Sequence, residues 1–318
     1  MTNFPNGVAS FGMPLMPALM GLPLGGGKAI WVHSSYAGGA SNGDFDRPFT
    51  ALETALNSGK VRASRGDVIY IKSGHAESVA SATAINIDLA GISIVGLGIG
   101  TQRPTFTFTT ATTSTIPVTV ADVVIANIVF SANFDSVAAA FTLTTAANFT
   151  LLNCEFKDTS VTDVSFVNIV DTSTTDNAAD GLTIRGCKWR SEDDASGSLV
   201  KSDAALEGLV VAECYLDHSV STVAGVVVTE AADKQLTNAL IDRNFVRTAS
   251  TVVGTLVLGT CATSTGFLSR NAVQSLDVAG GSLAAAVTTP FTLIQNWVSG
   301  ASAEPRAIDS IGTIFNDA

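Results

Sequence analysis

Charged side chains are scarce in this chain. Of its 318 residues only 14% are charged, and 17 Lys and Arg stand against 28 Asp and Glu, a formal net charge of -11. A phosphate-binding surface needs clustered Lys and Arg, and no such cluster occurs, which excludes nucleic acid as a partner. No run of 18 apolar residues is available to span a membrane. The opening residues lack the positive region of a secretory signal, so cytosolic synthesis and no membrane partner are expected. Four cysteines without a CxxC pair lack zinc-ligand spacing and suit a reducing compartment. Aromatics make up 7%, with three Trp and three Tyr. With Trp189 and Trp297 expected in the core, little remains for stacking sugars. His33, His75 and His218 fall in no hydrolase or metalloprotease motif and read as structural or surface residues. Gly96-x-Gly98-x-Gly100 has no helix start behind it and is not a phosphate loop. These absences leave no catalytic residue, metal site or cofactor assigned.

What the chain does have is a repeat. The pattern Val123-x-Ile125-x-x-Ile128-x-Phe130 returns as Phe149-x-Leu151-x-x-Cys154-x-Phe156, Leu182-x-Ile184-x-x-Cys187-x-Trp189 and Leu209-x-Val211-x-x-Cys214-x-Leu216. It continues as Ala239-x-Ile241-x-x-Asn244-x-Val246, Gly266-x-Leu268-x-x-Asn271-x-Val273 and Phe291-x-Leu293-x-x-Asn296-x-Val298. Each copy reads as two short strands joined across a bend. Like positions at like offsets, 25 to 33 residues apart, are what stacked coils require. A sandwich has no reason to produce them. Asn127, Asn153 and Gly186 sit at the first three bends and tolerate the left-handed backbone; Glu213, Arg243, Arg270 and Gln295 follow them. Cys154, Cys187 and Cys214 share one inward position as free thiols, and Asn244, Asn271 and Asn296 continue it as an amide column able to hydrogen-bond along the stack. Cys261 lies in an intervening strand.

The expected fold is an all-β, right-handed, single-stranded parallel β-helix with three strands per coil. About ten coils at about 4.8 Å give a rod of roughly 45 to 50 Å. Residues 1–28 form an extended apolar arm, residues 29–80 the opening strands and a capping helix over 49–57, residues 81–298 the β-helix, and residues 299–318 a C-terminal cap. The first 27 residues carry no charge, and Pro14, Pro17 and Pro23 forbid a continuous helix. Phe4, Phe11, Met13, Leu15, Met16, Leu19, Met20, Leu22 and Leu24 form an arm that either docks on a neighbouring subunit or partner or folds over the end of its own β-helix.

Carbohydrate cleavage is the enzymatic option, because paired carboxylates on a β-helix flank can act as acid and base. Glu192, Asp193, Asp194, Asp171, Asp176 and Asp180 are the candidates. An acidic run is ordinarily a solvated loop, and neither EF-hand nor nonapeptide calcium spacing accompanies these residues.

Four segments carry a resemblance. They are Thr2-Asn3-Phe4-Pro5-Asn6-Gly7-Val8-Ala9-Ser10-Phe11-Gly12-Met13-Pro14, Asp44-x-x-Arg47-Pro48-Phe49-Thr50-Ala51-Leu52, Gly66-Asp67-Val68-Ile69-Tyr70-Ile71-Lys72-Ser73-Gly74-His75-Ala76-Glu77 and Ile94-Val95-Gly96-Leu97-Gly98. Together they resemble tailed-bacteriophage virion proteins with a pectate-lyase-like β-helix. The resemblance implies a virion protein on the capsid exterior: a homotrimeric head decoration or cement protein that contacts itself, the major capsid protein and neighbouring decoration subunits. The alternative it implies is a tailspike or tail fibre that binds or cleaves glycan. Asp193-Asp194 is the only Asp-Asp, and Gly74-His75 has no following Gly. The motifs of pectate lyases and polygalacturonases are thus missing, and the chain is expected not to be an enzyme.

Overall fold

A computed structural model describes residues 9–10, 13–14, 27–159, 164–191, 193, 196–218, 226–231, 234–249, 256–258, 263–275, 284–285, 291–299 and 306–308. The chain is an all-β right-handed parallel β-helix with three long sheets, beside which Leu206–Glu207 and Leu236–Thr237 form a short parallel pair. The first sheet holds ten parallel strands, from Ala29–Val32 to Phe291–Ile294. The second holds nine parallel strands, from Ala76–Val79 to Asn296–Ser299, and Arg306–Ile308 closes its far edge antiparallel. The third holds seven, from Ile116–Val118 to Ala284–Ala285. About seven coils therefore carry all three strands. Stacking in the first sheet begins at Ala29–Val32, which pairs in register with Val68–Ile71.

The interior is built from inward columns. Phe106, Phe130 and Phe156 stack at centroid distances of 5.9 and 5.3 Å, and Trp189 pairs in register above Phe156, all fully buried. Trp297, expected inside, is instead 53% exposed. The reason is the strand period of two: Asn296 is the inward residue, so its neighbour must face out. The short helix Leu52–Leu56 forms within the expected cap and buries Leu52, Ala55 and Leu56 against the first strand. Glu77 Oε2 accepts the Leu52 N–H at 2.9 Å, so a carboxylate from the second sheet satisfies the start of the helix.

All seven bends take the left-handed conformation. The φ values are 57° at Asn127, 50° at Asn153, 64° at Gly186, 58° at Glu213, 54° at Arg243, 53° at Arg270 and 49° at Gln295. The four long side chains adopt it at a cost of roughly 1 kcal/mol each. A second left-handed column, missed in the sequence, stands five residues upstream at Asp122, Asn148, Gly181, Gly208 and Asn238. Each strand of the first sheet between them is thus bracketed by two tight corners.

The column inside the bend is buried throughout. Cys154, Cys187 and Cys214 are free thiols at 1–2% exposure. Above them the amides form a ladder: Asn244 Nδ2 donates to Asn271 Oδ1 and Asn271 Nδ2 to Asn296 Oδ1, both at 3.0 Å. Each Oδ1 also accepts the backbone N–H of the residue one coil below, which for Asn244 is Cys214. Each Nδ2 further donates to a backbone carbonyl of the preceding coil. Of the arm, Ala9–Ser10 and Met13–Pro14 pair antiparallel. Phe4, Phe11, Leu15, Met16, Leu19, Met20, Leu22 and Leu24 lie outside the described residues, as does Cys261.

Asn271→Leu removes acceptors for two N–H groups and the donor to the Ile241 carbonyl. It should cost about 3 kcal/mol or more, read as a lower urea midpoint with unchanged slope. A midpoint equal to wild type would show that the ladder contributes nothing.

Candidate active site on the third sheet

Parallel stacking brings together residues about one coil apart in sequence. Asp171 in strand Phe166–Thr172 pairs in register with Lys201 in strand Val200–Ser202, and both face outward. Lys201 Nζ lies 3.5 Å from Asp171 Oδ2 and 2.5 Å from Asp203 Oδ2. The Asp203 backbone N–H donates to Thr172 Oγ1 at 3.0 Å, which ties the turn after the Lys201 strand to the coil below. Thr142 and Thr229 continue the outward column on either side.

Burial raises the Asp171 carboxyl above the ordinary carboxylate range; the Lys201 charge offsets part of this, and Asp203 adds to it. The other oxygen, Asp171 Oδ1, is buried without a hydrogen-bond partner. For Lys201, burial alone would lower the ammonium, but its bond to Asp203 and the charge of Asp171 outweigh burial and raise it. A carboxyl that holds its proton longer than usual and a second carboxylate sharing one ammonium is an acid–base pair in kind.

The other acidic candidates serve the coil architecture. Asp176 accepts the Ala205 N–H and Lys234 Nζ, at 3.0 and 2.7 Å. Asp180 accepts the Glu207 N–H at 2.8 Å. Asp193 is buried, with Ser165 Oγ donating to Oδ1 at 3.4 Å; Glu192 and Asp194 lie outside the described residues. Lys201 and Asp203 were missed because the cluster has no linear motif. The signal available was register alone, Lys201 lying one coil beyond Asp171.

The buried histidines differ from one another. His75 accepts the Ser34 N–H on Nδ1 at 2.9 Å, so Nε2 carries the proton and donates to Glu77 at 3.0 Å. His218 is wholly buried, lies edge-on to Trp189 at 4.2 Å, and neither of its nitrogens has a hydrogen-bond partner. Among the described residues no three His, Cys, Asp or Glu converge as metal ligands.

No family model matches the chain, and no curated protein matches it. Among solved structures, a pectin methylesterase from Aspergillus niger is similar at 15% identity, over 87% of this chain and 86% of that one, with a TM-score of 0.51. A pectate lyase from Bacillus sp. N165 in complex with trigalacturonate is similar at 14% identity, over 86% and 82%, with a TM-score of 0.44. The first likeness establishes the shared fold. It also corrects the expectation that the chain is not an enzyme, since the same course over most of the chain carries an enzyme in that protein. The missing motifs were a poor argument, because a β-helix can assemble acid and base from separate coils.

His218 sets a pH limit. Burial depresses its pKa from 6.5 to about 3, so below about pH 6.5 the unfolded chain binds a proton that the folded chain refuses. Stability should fall as pH drops from 6.5 towards 3, with about 3 kcal/mol lost by pH 4. His218→Phe should remove that component. Urea midpoints at pH 7 and pH 4 check this, and an equal acid loss in wild type and variant would refute it.

Proposed function

We propose that this chain is a virion protein of a tailed phage, of the tailspike or tail-fibre kind, whose third-sheet face cleaves glycan by acid–base chemistry. The Asp171–Lys201–Asp203 cluster carries the reading. Asp171, held protonated beyond the usual range, donates a proton to the leaving oxygen; the Asp203 carboxylate, which shares the Lys201 ammonium with Asp171 and so stands at the short spacing of a retaining pair, attacks the anomeric carbon. Asp171 then takes a proton from the water that hydrolyses the glycosyl ester, and Lys201 positions both carboxylates. The fold shared with a pectin methylesterase supports a carbohydrate substrate. The segments from Thr2 to Pro14 and from Gly66 to Glu77 support the phage setting.

A second reading is a homotrimeric decoration protein on the capsid exterior, bound to the major capsid protein and its own neighbours. Phe267 and Ile294, 49% and 38% exposed on the outer face of the first sheet, favour it. So does the uncharged stretch of residues 1–27. Apolar area of this kind contributes about 25 cal/mol per Å² when covered, before association costs.

Purified protein incubated with host capsular polysaccharide or lipopolysaccharide should release new reducing ends. Asp171→Asn should slow this about 100-fold or more without lowering the melting temperature. No turnover on any host surface glycan, together with capsid binding that is lost on deleting residues 2–27, would overturn the first reading in favour of the second.

A further inference from the structure

The second sheet carries an outward column that neither reading uses. Tyr215, Phe245, Ala272 and Trp297 occupy it on four successive coils, in register. Their large side chains stay uncovered: Tyr215 is 40% exposed, Phe245 38% and Trp297 53%. Tyr215 and Phe245 stack face to face, with centroids 5.3 Å apart and planes within 5°. The next position breaks the run. Ala272 lifts only a methyl group between Phe245 and Trp297, which stand two coils apart, at about 9.6 Å. Two ring faces at about that separation leave room for one further ring between them. The antiparallel strand Arg306–Ile308 pairs beyond Trp297, so the slot is not at the open end of the sheet.

The rim is polar and basic. Arg247 and Gln274 stand in the adjacent outward column, and Arg270 and Gln295 at the corner on the other side. Arg270 is committed to Asp242 by two bonds of 2.9 and 2.8 Å. Arg247 has only a 3.7 Å pair with Asp217 among the described residues and keeps donors to spare. No acidic residue occupies either outward column on the coils of Phe245, Ala272 and Trp297. Arg247 is thus the one charge in the two columns on these coils, and with its partner Asp217 a coil below at 3.7 Å its guanidinium can also receive a ligand carboxylate.

We infer that the slot over Ala272 is a carbohydrate-binding site, in which one sugar ring bearing an acidic group sits between Phe245 and Trp297 with its carboxylate towards Arg247. A sugar suits it better than a wholly apolar ring, because the apolar C–H face meets the aromatics while the hydroxyls meet Gln274 and Gln295. The site lies on a different sheet from Asp171 and does not depend on its chemistry.

Trp31 and Trp189 are buried, so ligand-induced fluorescence change reports on Trp297. A panel of uronate- and sialate-bearing oligosaccharides, with neutral counterparts, would be titrated into the full chain. At least one acidic member should give a saturable change, with its neutral counterpart at least tenfold weaker. Ala272→Phe fills the slot while completing the exposed aromatic run, and should weaken binding at least tenfold with an unchanged melting curve; Trp297→Ala should abolish the signal, and Arg247→Gln should erase the preference for acidic over neutral sugars. Asp171→Asn should leave binding intact, which separates this site from the proposed cleavage. The inference is overturned if no acidic member binds, if Ala272→Phe binds as wild type does, or if the fluorescence change follows protein concentration alone, the mark of a second copy in the slot.

Discussion

The parallel backbone ladder from coil to coil is the constraint on which the rest of the molecule depends. Because each strand pairs in register with the one a coil below, a residue's chemistry is repeated or answered about 4.8 Å away by its counterpart. Identical inward positions become columns, and each column must satisfy itself. The rings of Phe106, Phe130 and Phe156 do so by stacking and the thiols by packing. The amides of Asn244, Asn271 and Asn296 do so by passing hydrogen bonds along the column and into the backbone. A buried amide is costly alone and stable in such a file, because both its donor and its acceptor are used.

The corners show two chemical solutions to one backbone demand. In the lower coils the left-handed position is filled by residues suited to it, and Asn153 Nδ2 donates to Asn127 Oδ1 at 3.3 Å. Higher up, Glu213, Arg243 and Arg270 accept the strain, and an ion ladder runs along the corner. Arg185 and Arg243 both bind Glu213, and Arg243 and Arg270 both bind Asp242. Isolated surface pairs contribute little, but here Asp242 is buried and shared between two guanidinium groups, so the network offsets part of the backbone cost.

This fold was legible because its inward residues recur at fixed offsets, and the same offsets located the bends. The upstream corner at Asp122, Asn148, Gly181, Gly208 and Asn238 was equally readable, one residue before each first anchor, but it was hidden by attention to the apolar positions. Trp297 was misplaced by ranking size above alternation: a large ring next to an inward Asn faces out whatever its hydrophobicity. The third-sheet cluster was legible only in part. Asp171 stood out as an acid, whereas Lys201 and Asp203 acquire meaning only once the coils are aligned.

Function follows from the same geometry, since faces of a stacked rod assemble side chains that are remote in sequence. The carboxylates and ammonium of the third sheet and the interrupted aromatic column of the second are both products of register. Register is therefore what to measure. Ser78 and Gln274 lie in one outward column of the second sheet, seven coils apart. With spin labels at Ser78→Cys and Gln274→Cys, in a chain carrying Cys261→Ser, pulsed dipolar spectroscopy should give one narrow distance near about 34 Å. A broad distribution, or a distance displaced by two coils or more, would contradict the stacked order on which every site described above relies.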